Sequence, residues 1–156
     1  MPTPNRSRVL CVDDDEDACE ILGLLLNSCG LNATCAQSAA AAWPLIKRRR
    51  FDLYLLDGWL PGIDGFEFCR QIREVDSDTP VIFYSGAAYD ADIRRGIAAG
   101  ANAYVTKPDI DALIKAIADV VVNAKAHDHV ETRLSVCANQ HRARYLDNSC
   151  VAGAGN

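Results

Sequence analysis

The sequence predicts an α/β fold in which five parallel strands are covered by helices on both faces. Short apolar runs alternate five times with segments of helical periodicity, and three of the runs are nearly continuous in apolar residues. Strands buried on both faces of a parallel sheet have this continuous apolar character. The chain has 156 residues, of which 49% are apolar, and this suits one compact domain.

Five short segments are predicted as the strands. They read RVLCV (8–12), LNATCAQ (31–37), FDLYLLD (51–57), PVIFYSG (80–86) and NAYVT (102–106). The second segment is less apolar than a strand covered on both faces, so we place it at an edge of the sheet.

Five segments with apolar residues at helical spacing are predicted as the helices. They span residues 15–29, 39–50, 64–74 and 89–100, and a last helix starts at Asp109. Ser38 can cap the second helix, and Pro44 should kink or restart it because proline lacks the backbone N–H. Gly100 is a suitable end for the fourth helix. For the sheet we assume the flavodoxin-like (βα)5 order, 2-1-3-4-5.

Composition excludes several classes of protein. The formal charge of −5 argues against a nucleic-acid-binding body, which would carry a basic face. No apolar stretch is long enough to span a membrane, and the start of the chain lacks the apolar core of a signal peptide. We therefore expect a cytoplasmic protein without nucleic-acid or membrane contacts. The basic run KRRR at 47–50 is interpreted as a solvated helix end.

Cysteine and histidine give little support for a metal centre or a nucleophilic triad. No two of the seven cysteines have C-x-x-C spacing, and Cys11, Cys35 and Cys69 lie in apolar runs, so reduced and buried thiols are predicted. All three histidines follow residue 126. The body of the chain therefore has none for a Ser-His-Asp mechanism or a zinc site.

Polar residues follow the predicted strands at one edge of the sheet. They are Asp13 and Asp14 after strand 1, Asp57 after strand 3, Ser85 at the end of strand 4 and Lys107 after strand 5. Because ligands of such sheets bind at the carboxyl ends of the strands, we expect these side chains to form one site. Clustered carboxylates repel one another unless a cation joins them, and Mg²⁺ prefers oxygen ligands. A carboxylate nucleophile beside a lysine and a hydroxyl suits Mg²⁺-assisted phosphoryl transfer onto an aspartate.

Four stretches of the sequence resemble the receiver domain of bacterial two-component response regulators, in its single-domain type. They are VLCVDDDED (9–17), LLDGWLPGIDGFE (55–67), PVIFYSGA (80–87) and GANAYVTKP (100–108), and the resemblance covers about residues 7–124. It implies Mg²⁺ as the cofactor and assigns roles to individual residues. These are Asp57 as phosphoacceptor, Asp13, Asp14, Asp57 and the Trp59 carbonyl as metal ligands, Lys107 as phosphate-binding lysine, Ser85 as switch hydroxyl and Tyr104 as the aromatic residue that changes rotamer.

Three residues depart from the family pattern. Gly58 follows the phosphoacceptor where a larger apolar residue is common, and Trp59 places a bulky ring at a position that helps to control water access. Asp109 follows Lys107-Pro108, where the family often has phenylalanine and often a cis peptide bond. The phosphate lifetime and the start of the last helix are the properties that these departures should affect.

The resemblance implies a phosphorylation switch, with self-dephosphorylation as its only turnover. A sensor histidine kinase or a phosphotransfer protein would phosphorylate it, and a downstream protein would contact the face of helix 4, strand 5 and helix 5. A homodimer is a further expectation. The segment 125–156 is polar and fades into Ala, Gly and Asn, so we interpret it as a partly helical or disordered tail and not as an output domain.

An aspartate-nucleophile phosphohydrolase of the haloacid dehalogenase type is the alternative. Its motif begins with an apolar run followed by Asp-x-Asp, which Asp13 and Asp15 fit loosely. Glu16 stands where that motif has Thr or Val, and the chain is short for such an enzyme. The two functions differ in a simple assay, because only the hydrolase would turn over a generic phosphomonoester.

Overall fold

The computed structural model describes residues 6–124 and confirms the predicted α/β architecture. The elements in chain order are β1 (Arg8–Val12), α1 (Glu16–Ser28), β2 (Asn32–Ala36), α2 (Ala39–Arg48), β3 (Leu53–Leu56), α3 (Gly65–Val75), β4 (Val81–Ser85), α4 (Asp90–Ala98), β5 (Ala103–Thr106) and α5 (Ile110–Ala124). The five strands pair in parallel in the order β2-β1-β3-β4-β5. The predicted order is therefore correct, and β2 is an edge strand as expected.

Alternate residues of each strand supply two separate cores, one on each face of the sheet. Val9 and Cys11 of β1 belong to the core under α1 and α5, with Leu22, Leu26 and Ile117. Leu10 and Val12 belong to the core under α2 and α3, with Phe66, Phe68 and Ile72. Successive side chains of a strand point to opposite faces, so covering both faces requires the continuous apolar runs seen in the sequence.

Helix α2 is shorter at its end than predicted. It stops at Arg48, and Arg49 is already extended. Ser38 caps it as predicted, because the Ser38 hydroxyl accepts a hydrogen bond from the N–H of Ala41 at 3.0 Å. Pro44 lies within the helix and does not start a new one. No helix among residues 6–124 is long and apolar enough to cross a membrane.

The cysteines differ in part from the prediction of reduced, buried thiols. Cys11 and Cys69 are free and buried, as predicted, and so is Cys19. Cys35 is free but exposed, because the edge strand β2 is not fully covered. Cys29 is disulfide-bonded, so the prediction is wrong at this position. The three histidines and the predicted tail at 125–156 lie outside the described residues.

Candidate functional site

The carboxyl ends of β1, β3, β4 and β5 form an open cleft of about 500 Å³. It is lined by acidic residues after β1 and β3, by Lys107 after β5, and by Trp59 and Tyr89 from the loops. The parallel register explains the convergence. Val12 pairs with Leu56, Leu56 pairs with Phe83 and Ser85 pairs with Thr106, so the four strands end within two residues of one another. The sheet thus brings together residues that are far apart in the chain.

Three carboxylates meet in this cleft. Oxygen atoms of Asp13, Asp14 and Asp57 lie within 4.8 Å of one another. Asp13 and Asp57 are buried at the strand ends, whereas Asp14 is exposed. An all-oxygen set with one exposed member fits Mg²⁺, which binds through one or two carboxylates and keeps several water ligands. The backbone N–H of Trp59 donates to Asp57 Oδ1 at 3.3 Å, which places the Trp59 main chain beside this group.

Lys107 neutralises part of this acidic cluster. Its Nζ lies 2.5 Å from Asp13 Oδ2 and 3.4 Å from Asp57 Oδ2. Burial lowers the pKa of Lys107, but the hydrogen bond to Asp13 and the two negative charges raise it by more, so the net shift is upward. Lys107 is therefore charged at neutral pH. Its backbone N–H donates to the Ser85 carbonyl at 2.9 Å, and the Lys107-Pro108 peptide is cis, as the resemblance implied.

Ser85 and Tyr104 connect the cleft to the β4–α4 loop. Ser85 is fully buried, and its hydroxyl lies 3.4 Å from the N–H of Ala87. The Tyr104 hydroxyl donates to the carbonyl of the same Ala87 at 2.9 Å. The Tyr104 ring stacks on Phe83 with 5.7 Å between centroids. The loop between β4 and α4 is thus held by both side chains to which the resemblance assigns a switch role.

The departures from the family pattern have local physical consequences. A Cβ on Gly58 would lie 3.1 Å from Ser85 Oγ and 3.4 Å from Phe66 Cζ, so glycine leaves the Ser85 hydroxyl uncrowded. The Trp59 side chain is 61% exposed and lines the same cleft as Asp57. Asp109 caps the start of α5, because its carboxylate accepts from the N–H of Ala112 at 2.9 Å.

Gly65 is a positioning residue that the sequence analysis missed. A Cβ at this position would lie 2.0 Å from the Asp57 carbonyl oxygen, so only glycine lets the start of α3 pack against the main chain of Asp57. The Gly65 N–H also donates to the Gly58 carbonyl at 2.9 Å. Its signal in the sequence is the Asp64-Gly65 pair, in which Asp64 caps α3 by accepting from the N–H of Glu67 at 2.7 Å.

Comparisons with known proteins agree with this geometry. The family described as response regulator receiver domain matches residues 9–118. The transcriptional regulatory protein AfsQ1 of Streptomyces coelicolor is 38% identical over 113 residues, which cover 70% of this chain and 50% of AfsQ1. YvrH of Bacillus subtilis is 40% identical over 101 residues, covering 64% of this chain and 42% of YvrH. The chain therefore spans about half the length of these curated relatives.

Solved structures lead to the same family. The receiver domain of the Francisella response regulator 1452 has a TM-score of 0.72 and 27% identity, and the match covers 77% of this chain and all of that one. A CheY-like receiver domain protein from Methanospirillum hungatei has a TM-score of 0.73 and 25% identity, covering 78% of this chain and 98% of that one. The sequence motifs, the five-stranded fold and the acidic cleft thus converge, and the chain belongs to the response regulator receiver domain family of two-component systems.

Proposed function

We propose that this receiver domain is a cytoplasmic phosphorylation switch. Asp57 accepts a phosphoryl group from a sensor histidine kinase or a phosphotransfer protein in a Mg²⁺-dependent reaction. The observation that carries this proposal is the position of Asp57, whose carboxylate faces both a charged lysine and two further carboxylates in one open cleft. That arrangement supplies a nucleophile, a metal-binding set and a cation for the phosphoryl oxygens.

The transfer itself needs few steps from the protein. An Asp57 oxygen attacks phosphorus while the P–N bond of the donor phosphohistidine breaks, and the donor nitrogen keeps that electron pair and takes a proton from water. Mg²⁺ would be held by Asp13, Asp14, Asp57 and the Trp59 carbonyl, and it would supply positive charge beside the phosphoryl oxygens. Lys107 stays protonated throughout, and its ammonium can pair with a phosphoryl oxygen on Asp57 because it already lies 3.4 Å from that carboxylate.

The signal leaves the site through Ser85 and Tyr104. A phosphoryl group adds charge and acceptor oxygens at Asp57, and the Ser85 hydroxyl can rotate to bind one of them. Ala87 in the β4–α4 loop is hydrogen-bonded to both Ser85 and Tyr104, so a shift of this loop reaches the face of α4, β5 and α5. Helix α4 buries only Gly96 among its own residues, which makes it the least anchored helix in this face.

The face of α4, β5 and α5 has features that suit a protein partner. Ile97 of α4 is 48% exposed although it is apolar, and Tyr89 before the helix is 80% exposed. We propose that a downstream protein, or a second copy of this chain, binds there when Asp57 is phosphorylated. Nucleic acid and membrane surfaces are not proposed as partners of this domain, because its net charge is negative.

Phosphate loss by hydrolysis is the only turnover we propose. Asp57 lies in an open cleft whose lining includes the exposed side chains of Trp59 and Tyr89, so water can reach an aspartyl phosphate. The geometry disfavours a phosphohydrolase of the haloacid dehalogenase type. Asp15, which would be its general acid, instead caps α1 by accepting from the N–H groups of Asp17 and Ala18.

Mass measurement after incubation with acetyl phosphate and Mg²⁺ tests this function. The wild-type chain should gain one phosphoryl group, and Asp57→Asn should gain none. Asp14→Ala should lose most of the uptake, because Asp14 is the exposed member of the metal-binding set and can be removed without disturbing the core. Uptake by Asp57→Asn at the wild-type rate would refute Asp57 as the acceptor, and normal uptake by Asp14→Ala in the presence of Mg²⁺ would refute the metal assignment.

We further propose that residues 7–124 form the complete switch domain and that the polar tail at 125–156 adds little to its core. A chain truncated after residue 126 should then fold and accept phosphate in reducing buffer, where the contribution of the Cys29 disulfide is removed from both chains. A large drop in melting temperature relative to the full chain in the same buffer would show that the tail stabilises the domain.

A further inference from the structure

Three free cysteines from three elements lie together at the edge of the sheet, outside the phosphorylation chemistry. Cys11 is in β1, Cys19 in α1 and Cys35 in β2. Cys11 and Cys35 are direct partners in the register of the two parallel strands. The Cys35 thiol also lies 3.1 Å from the backbone carbonyl of Cys19, to which it donates.

The three thiols differ in their access to solvent. Cys11 and Cys19 are buried, whereas Cys35 is exposed on the edge strand. Gly23 of α1 faces one side of the Cys35 sulfur, and a Cβ at that position would make an ordinary van der Waals contact with it at 3.8 Å. Small reagents can therefore reach Cys35 but not its two neighbours.

The environment of Cys35 also favours its thiolate. A hydrogen bond from the Cys11 thiol lowers the pKa of Cys35 to about 7, in spite of the opposite effect of partial burial. The Cys19 thiol is buried and donates to the Asp13 carbonyl at 3.4 Å. Reactive cysteines combine exposure with a depressed pKa, and of these three only Cys35 has both.

We propose that Cys35 is an oxidation site, at which a hydroperoxide forms a sulfenic acid that Cys11 then converts to a Cys11–Cys35 disulfide. In the first step the Cys35 sulfur takes one oxygen as the O–O bond breaks, and hydroxide leaves and is protonated to water. In the second step the Cys11 sulfur attacks, the S–O bond breaks, and water leaves with the Cys11 proton. A small thiol can reverse the reaction by disulfide exchange.

The strand geometry selects Cys11 as the resolving thiol. Neighbouring strands are about 4.8 Å apart, and in-register partners project to the same face. Disulfides need Cα atoms about 4.4–6.8 Å apart, so a pair in direct register meets this condition without moving the strands. Cys19 offers Cys35 a carbonyl oxygen, while its own thiol donates to the Asp13 carbonyl at 3.4 Å.

Peptide mapping of the full chain after treatment with equimolar hydrogen peroxide tests the proposal. No Lys or Arg lies between residues 9 and 46, so digestion must use a protease that cuts at acidic residues, several of which lie within 13–20. Free thiols are alkylated first, and fragment-ion sequencing separates Cys35 from Cys29 in their shared peptide. The expected product is a disulfide between Cys11 and Cys35, in a cross-linked species whose Cys35 peptide also carries the Cys29 disulfide.

Three variants make the result decisive. Cys35→Ser should abolish the cross-link, Cys11→Ala should leave a sulfenic acid at Cys35 that dimedone traps, and Cys69→Ala should react like the wild type. Early trapping by dimedone in the wild-type chain gives the same information if Cys11→Ala does not fold. Dimedone on another cysteine before Cys35, or a disulfide from Cys35 to any cysteine other than Cys11, would overturn the proposal.

Discussion

Replacement of Gly96 by alanine tests how α4 is packed against β5. A Cβ on Gly96 would lie 2.8 Å from Tyr104 Cδ2 and 3.0 Å from Phe83 Cδ2. The preferred separation of carbon atoms is about 3.5–4.0 Å, so the added methyl group is roughly 0.7 Å too close. The Tyr104 ring cannot easily retreat, because it stacks on Phe83 and its hydroxyl is bonded to Ala87.

The expected cost follows from two opposing terms. Overpacking of this kind costs about 1–3 kcal/mol, and the better helix propensity of alanine returns up to about 1 kcal/mol. We therefore expect Gly96→Ala to lower the free energy of unfolding by about 1–2 kcal/mol, measured by urea denaturation. In a Tyr104→Ala background the nearest ring is gone and only the Phe83 contact at 3.0 Å remains, so the same substitution should cost less.

The double-mutant cycle supplies the refutation. A coupling energy of about 1 kcal/mol or more between positions 96 and 104 is expected if the clash is real. Equal effects of Gly96→Ala in both backgrounds would show that the ring does not limit the approach of α4. The account of α4 as a helix held by a glycine contact would then be wrong.

Three further predictions concern stability. Burial raises the pKa of Asp76, but hydrogen bonds from Thr79 and Tyr54 lower it by a larger amount, so the net shift is downward. The ionised Asp76 carboxylate therefore stabilises the fold fully at pH values above its ordinary pKa of 3.8, and this stabilisation is lost as the pH falls below that value. In Tyr54→Phe the free energy of unfolding, measured by urea denaturation, should fall less steeply at acidic pH. Arg73→Met should lower the free energy of unfolding by about 2–4 kcal/mol in urea denaturation, because Arg73 donates to four oxygen acceptors around the starts of β4 and β5. A similar change at an exposed arginine should lower it by less than about 0.5 kcal/mol. Gly23→Ala should raise the free energy of unfolding by about 0.5–1 kcal/mol in the same assay, since the added Cβ would meet only the Cys35 sulfur, at 3.8 Å. A loss of stability would show that the added methyl group does not fit at this position.

Sequence periodicity predicted the α/β class and, together with the assumed strand order, the placement of the acidic cluster. Strands β1, β3 and β4 are short and almost fully buried, so their apolar runs mark their bounds to within a few residues. Parallel strands end at one edge, and this rule brings Asp13, Asp57 and Lys107 together before any distance is known. The error at the end of α2 is of the expected kind, because Arg49 and Arg50 have good helix propensity although the backbone of Arg49 is already extended.

Only the tertiary structure decided which partners each side chain has and how much room surrounds it. Lys107 lies closer to Asp13 than to Asp57, a difference of 0.9 Å between residues far apart in the chain. The close approach of Gly65 to the Asp57 carbonyl and the disulfide bond of Cys29 were likewise not predicted. Local patterns specify the faces of helices and strands, whereas these distances depend on how the faces of separate elements pack against one another.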